Sequence, residues 1–488
     1  MMNLSPASSA WVIWPVVVPL LGAVVCFLYK RKHCLGGHFF AVLTCGASTV
    51  LGWQVLDQGV GRHLLGGWSP PLGISLRADG PAALMVMMTA VTGMGITLYS
   101  GGYFQSRLTG GSQDRRFRVQ EQSFWPLWLL LWAALNGLFL SGDIFNIYIS
   151  LELVALSSVG LTALSGKPPS LVAAMRYLLV SLLGSLTFLL GVGFFYKACG
   201  TLELAVISKV LTPTPPVIMA LALVSVGLML KTALFPFHFW LPPAHANALA
   251  PVSAILSALV IKGSWYLFYR FWQGGGLPAV VGVVPAVLGS AAIIWGAFQA
   301  FSQQRLKMLV AYSTVAQIGY LFVAFPLLAD PAGQGSDALF YFAISHSCAK
   351  AAMFLATGTF FLQMGHDRIR DLAGVRQLLP VSSFAFALGG LSLMGLPPSG
   401  GFIAKYLLVT AAISQDLWWL ALIAVLGSGL TAVYVFRAVS SVLSPHLLAE
   451  RPALVVAASM QWSALALALL AIVLGIMAPL PLALLEVT

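Results

Sequence analysis

Lys231 and Lys262 stand near the midpoints of two apolar segments, VIMALALVSVGLMLKTALFPFHFWL from Val217 and LAPVSAILSALVIKGSWYLFYR up to Arg270. A lysine at membrane depth costs about 2.5–3.5 kcal/mol on insertion scales, and such residues are ordinarily kept for moving charge. Lys350 and Lys405 fall inside apolar segments as well. Of fourteen acidic residues, Glu152 alone sits in the middle of one. His346 precedes Lys350 by four positions, which on a helix puts both on one face. His238 lies near the end of the first segment and His245 just after it, among Pro236, Pro242 and Pro243. Burial favours a neutral amine and a nearby carboxylate favours a charged one, so a lysine whose hydration or partner changes takes up and releases a proton. The candidate proton path is therefore Glu152, Lys231, Lys262, His346, Lys350 and Lys405. His238 and His245 are its access groups, or else caps on free carbonyls.

Other readings of the same residues stay open. Glu152 and Lys231 could be a static pair locking two helices, and Lys350 could anchor a helix. Ser253, Ser257, Tyr312, Ser313, Thr314 and Gln317 could be packing contacts or could hold a water chain. His33, His38, His63, His366 and His446 are expected in solvated loops. A bis-histidine haem is disfavoured, because the buried histidines have lysine rather than apolar company. The five cysteines (Cys26, Cys34, Cys45, Cys199, Cys348) show no metal or redox spacing, so no disulfide, metal or cysteine-held cofactor is expected. Sodium prefers several oxygen ligands, but the interior offers one carboxylate among cationic side chains. Protons are the species favoured.

The elements that must position these groups follow from composition. The 488 residues are 59% hydrophobic and 8% charged, against about 25% charged in a soluble domain. The apolar runs are helix-length, which predicts an all-α polytopic membrane protein rather than a barrel. Fourteen spans are expected, near 11–29, 39–56, 80–101, 123–141, 143–164, 171–196, 216–236, 249–272, 277–300, 306–328, 337–362, 381–409, 414–439 and 457–485. The net charge of +11 sits in short loops between spans, so it does not point to nucleic acid. With the N-terminus outside, sixteen of the 25 lysines and arginines, Lys30, Arg31, Lys32, Lys307 and Arg451 among them, fall in cytoplasmic loops. Five, including Arg77 and Arg270, fall outside, and the remaining four are the buried lysines. That bias supports an even number of spans with both termini outside. The first apolar run precedes its positive cluster, which predicts a retained helix rather than a cleaved signal.

Proline and glycine interrupt two spans: the seventh at Phe235-Pro236-Phe237-His238, and the twelfth from Gly395 to Gly401 through Pro397 and Pro398. Each break has a lysine nearby, Lys231 or Lys405. Five spans apart, the two run in opposite directions, the pattern of an inverted repeat with a polar site at the breaks. The expected organisation is 1–122 for spans one to three, 123–272 and 273–440 for two inverted five-helix repeats, and 441–488 for the last span.

These stretches resemble the antiporter-like membrane subunits shared by respiratory complex I, group 4 membrane-bound hydrogenases and Mrp-type cation/proton antiporters. The likeness runs from about 79 to 440 and includes SGDIFNIYISLELVALSS, LMLKTALFPFHFWLPPAHANALAPVSAILSALVIKG, RLKMLVAYSTVAQIGY, HSCAKAAMFL and GLPPSGGFIAK. The chain length and the last motif look most like the D subunit of Mrp antiporters. The resemblance implies fourteen helices with inverted five-helix repeats. It implies a Glu152–Lys231 pair, a central Lys262, an exit group at Lys405, and His346 and Lys350 as the eleventh-helix HxxxK pattern. It implies a multisubunit assembly in the cell's inner (plasma) membrane, with other membrane subunits as partners and any sodium handled by a partner. The driving force would be an ion gradient, or electron transfer by partners of a complex I or hydrogenase type. The chain shows no redox motif of its own. The loop before the eighth span departs from the family's usual acidic PDAHAEAPSPVSA, with Pro243 and Asn247 at the acidic positions. No long amphipathic helix follows the last span, unlike the longest complex I paralogue. A stand-alone organic-solute transporter and a purely structural scaffold are the readings from other classes.

Overall fold

The computed structural model describes residues 10–29, 33–70, 73–109, 115–210, 214–274, 279–329, 333–445 and 456–487. Lys30, Arg31, Lys32, His446 and Arg451 lie outside the described residues. In hydrocarbon every backbone polar group must be satisfied within its own segment, and long apolar runs meet that demand as helices. Twelve helices among the described residues are long and apolar enough to cross a membrane. They match the expected spans from the first to the eleventh, and the thirteenth. Pro380–Met394 and Gly400–Ser414 are the two halves of the twelfth, and Ala458–Val473 forms the fourteenth. The second span is longer than expected, His33–Gln58. It includes His38, which is therefore not a loop residue: its Nδ1 is 2.8 Å from the Cys34 carbonyl and its ring lies 5.0 Å from that of Trp125. A short antiparallel hairpin, β1 Gly61–Leu64 with β2 Ser75–Ala78, joins the second and third spans.

The break between the fourth and fifth spans is a helix start. Asp143 Oδ1 accepts from the Asn146 amide at 2.8 Å, a side-chain cap on one of the orphan donors. The eighth span, Ala250–Gln273, and the eleventh, Gln334–Met364, are enclosed on all sides, whereas the second, sixth, ninth and thirteenth keep most of their surface outward. Polar groups on the two enclosed spans consequently face protein, not lipid. With no hydrophobic drive between helices in lipid, close approach at small residues does the packing. A Cβ on Gly184 would lie 2.9 Å from the Gly227 carbonyl oxygen, across spans six and seven. One on Gly289 would lie 2.6 Å from the Gly319 carbonyl oxygen, across spans nine and ten.

Both interrupted helices are broken where the prolines and glycines predicted. The seventh span runs Pro215–Thr232, turns through left-handed Ala233 (φ 59°), and resumes as Leu241–Asn247. Trp240 stacks on Tyr177 at 4.3 Å, and its Nε1 donates to the freed Leu230 carbonyl at 3.1 Å. The twelfth stops at left-handed Gly395 (φ 80°) and restarts at Ser399, whose hydroxyl accepts from the Phe402 amide at 3.2 Å. The eighth span has its own irregularity, a π-helical turn over Leu256–Val260. Such turns release carbonyls from the α-helical ladder and are frequent at functional sites.

Candidate functional site: four buried lysines at the helix breaks

Lys231, Lys262, Lys350 and Lys405 are all buried, none more than 7% exposed. None snorkels to a surface, and each amine has a definite set of oxygen or nitrogen partners. Lys231 occupies the last turn of the first half of the seventh span, where a helix presents its negative end. Its Nζ is 3.4 Å from Glu152 Oε1 on the fifth span and donates to Ser181 Oγ on the sixth at 3.0 Å. One turn along, Ser185 donates to the same Glu152 oxygen. The single mid-span carboxylate thus gathers spans five, six and seven around one amine.

Lys262 lies two residues beyond the π turn and donates to a carbonyl there, Ser257 O, at 2.6 Å. The second partner of its Nζ is His346 Nδ1, 2.7 Å away on the eleventh span. Which of the two nitrogens donates depends on the imidazole tautomer and on the protonation of each group. His346 Nε2 is buried without a protein partner. Lys350, one turn further on, reaches the tenth span, where it donates to the Val310 carbonyl at 2.8 Å and to Ser313 Oγ. The shared helical face of His346 and Lys350 therefore does not make them partners of each other; each bonds a different neighbouring helix.

Lys405 donates to the Leu393 and Met394 carbonyls, at 2.9 and 3.2 Å, which the break in the twelfth span has freed. The Tyr320 ring centroid is 4.7 Å from its amine. Ring face and helix C-terminus both favour a cation. Lys231 and Lys405 thus occupy comparable settings at the two breaks, one with a carboxylate and one without.

The two histidines of the seventh span separate. His245 is fully buried beside Phe354 (ring centroids 4.8 Å), and neither ring nitrogen has a partner in the protein. Buried polar groups of this kind are ordinarily satisfied by water. His238 instead stacks on Phe235 and accepts from Trp295 Nε1 at 3.2 Å, towards the exposed side of the ninth span. The small polar residues bond protein partners. Ser313 bonds an amine, Ser257 and Thr314 bond each other across spans eight and ten at 2.9 Å, and Gln317 reaches Thr431 at 3.2 Å.

Ser181 and Ser185 were not singled out by the sequence, where they look like any small residues of a membrane helix. Asp79 was missed too. It is 1% exposed and holds Arg270 through two 2.7 Å contacts and Arg77 at 3.2 Å. Arg270 also bonds the Tyr266 hydroxyl at 2.7 Å. The clamp fixes the end of the eighth span that is nearer the hairpin.

Residues 141–431 match the family model described as NADH:quinone oxidoreductase/Mrp antiporter, TM. The N subunit of the NADH-quinone oxidoreductase of Desulforudis audaxviator is 34% identical over 90% of this chain and 88% of its own length. The D subunit of the Na(+)/H(+) antiporter of Bacillus subtilis is 28% identical over 88% and 85%. Among solved structures, a chain of the Mrp complex from Dietzia sp. DQ12-45-1b superposes with a TM-score of 0.87 at 26% identity, over 100% of this chain and 97% of that one. A chain of the archaeal membrane-bound sulfane sulfur reductase gives 0.88 at 25%, over 98% and 96%. The chain belongs to the NADH:quinone oxidoreductase/Mrp antiporter family of transmembrane subunits.

Proposed function

We propose that the chain is the proton-translocating, antiporter-like subunit of a multisubunit membrane complex, of the Mrp monovalent cation/proton antiporter type and in the role of its D subunit. The observation that carries this reading is the set of four buried lysines, each bonded to a different helix or helix break, with one carboxylate among them. Protons would pass among Glu152, Lys231, Lys262, His346, Lys350 and Lys405, with His245 as an access group. The 34% identity to an NADH-quinone oxidoreductase N subunit favours a second reading, the proton-pumping membrane subunit of a redox-driven complex. The same residues would then work under electron transfer in partner subunits. The division into spans one to three, two inverted five-helix units and a last span, and the placement of both termini outside the plasma membrane, belong to the same proposal. It is supported by the loop charge bias and by the two breaks five spans apart. Glu152→Gln and Lys231→Ala, made in the assembled complex, are expected to abolish coupled proton transport in vesicles while the complex still purifies intact. Full transport in both variants would overturn the assignment. Genes for small antiporter subunits beside this one, rather than hydrogenase or iron–sulfur subunits, would separate the first reading from the second.

A further inference from the structure

A cavity of about 520 Å³ opens on the face of the molecule that carries most of the positive loops. Among the described residues, five cationic side chains line it, Arg107, Arg116, Lys167, Arg305 and Lys307, against one carboxylate, Asp367. That carboxylate is already committed: Arg305 Nε is 2.9 Å from one oxygen, and the Lys307 amide donates to the other at 3.3 Å. Asp367 is therefore engaged by partners other than Arg107 and Lys167. None of these cations belongs to the buried lysine set.

Two of the cations are fixed before any ligand arrives. The Arg107 guanidinium lies 4.2 Å from the Phe117 ring centroid and 5.3 Å from that of Tyr103, and donates to the Tyr103 hydroxyl at 3.0 Å. Lys307 Nζ donates to the Ala248 carbonyl at the cavity's edge. Ser165 also lines the cavity, is more than nine-tenths buried, and its hydroxyl has no partner in the protein. A planar guanidinium, ammonium groups and a free hydroxyl donor in one concavity match the oxygens of a phosphate. Leu249, Phe361 and Leu362 add an apolar wall beside them, the combination found where basic pockets between transmembrane helices hold anionic headgroups.

We propose that this cavity is a phosphate-binding site, taking the phosphodiester of an anionic lipid headgroup or a free phosphate. The test uses the full chain in a zwitterionic detergent and follows thermal unfolding. Dioleoyl phosphatidylglycerol, phosphatidylcholine and inorganic phosphate are titrated separately, with chloride at matched ionic strength as the reference. A rise in unfolding temperature with phosphatidylglycerol alone identifies a lipid site, and a rise with inorganic phosphate identifies a free-anion site. In either case the midpoint concentration should increase about tenfold, the equivalent of 1.4 kcal/mol, in Arg107→Gln/Lys167→Gln. It should stay unchanged in Arg370→Gln/Arg376→Gln, which removes the same charge elsewhere on that face. The proposal is overturned if phosphatidylglycerol stabilises the wild type no more than phosphatidylcholine does and inorganic phosphate no more than chloride, or if both double variants respond alike. Should Arg107→Gln fail to fold, Lys167→Gln alone, at an exposed position, carries the comparison.

Discussion

The contact between Lys262 and His346 sets two bases 2.7 Å apart. Removing the imidazole leaves the amine with only the Ser257 carbonyl. His346→Ala is therefore expected to slow proton transport by about 10²-fold, the lower end of what a positioned proton-transfer group contributes. His238→Ala, whose ring bonds Trp295 instead, should leave the rate within twofold (~0.4 kcal/mol); equal losses in the two variants would remove His346 from the path. A different titration belongs to the loops. Burial holds the Glu203 carboxyl above its ordinary range, with the 2.6 Å bond from Ser75 opposing and the Asp143 charge adding to the rise. Asp143 is raised by burial too. A group that binds its proton more tightly when folded gives stability that is complete at low pH and lost as pH rises through the folded pKa. The wild-type unfolding temperature should accordingly fall between about pH 4.5 and neutrality more steeply than that of Glu203→Gln, in which that titration is gone. Parallel slopes would show that Glu203 is not held in that state.

At the scale of single elements, the breaks and the π turn do the positioning. Each frees carbonyls that an ordinary helix would use, and a lysine amine takes them at Ser257, Leu393 and Met394. Gly395 makes one of these arrangements feasible. Its φ of 80° is left-handed, and a Cβ there would lie 2.7 Å from Lys405 Cδ. Gly395→Ala should cost about 1–2 kcal/mol for the conformation alone and should displace the lysine, lowering both unfolding temperature and transport. Gly429→Ala, where a Cβ meets nothing within 4 Å, is the matched control. If the two alanine variants are equally active and equally stable, the turn is not what seats Lys405.

For the molecule as a whole, the enclosure of spans eight and eleven means that the lysines they carry face other side chains, not lipid. The solved structures that match it across nearly its full length belong to multisubunit membrane complexes. On the proposed reading, the coupling that drives protons along the buried bases would reside in such an assembly. Reconstituted alone in vesicles, the purified chain should show no gradient-driven cation/proton exchange, whereas the intact complex should. A single chain matching the complex in rate would favour a stand-alone transporter.

The bilayer writes its demands into local sequence, which is why the spans, the two breaks and the four buried lysines were legible without a structure. An apolar run long enough to span, a proline inside it and a charge at its middle are each defined within some twenty residues. Pairing is another matter. Lys262 and His346 are 84 residues apart, and Arg270 and Asp79 are 191 apart. Whether they meet depends on how each helix is rotated about its axis, and a helix that is apolar all round gives no periodic stripe to fix that rotation. Close approaches such as that of Gly358 on the eleventh span to Ala250 on the eighth help to fix it. Tertiary packing therefore assigned His346 to Lys262 rather than to Lys350, sent His238 to Trp295, and brought Ser181 and Ser185 to the one carboxylate. It also placed a hidden aspartate under Arg270, a residue whose sequence context suggested only an outer loop.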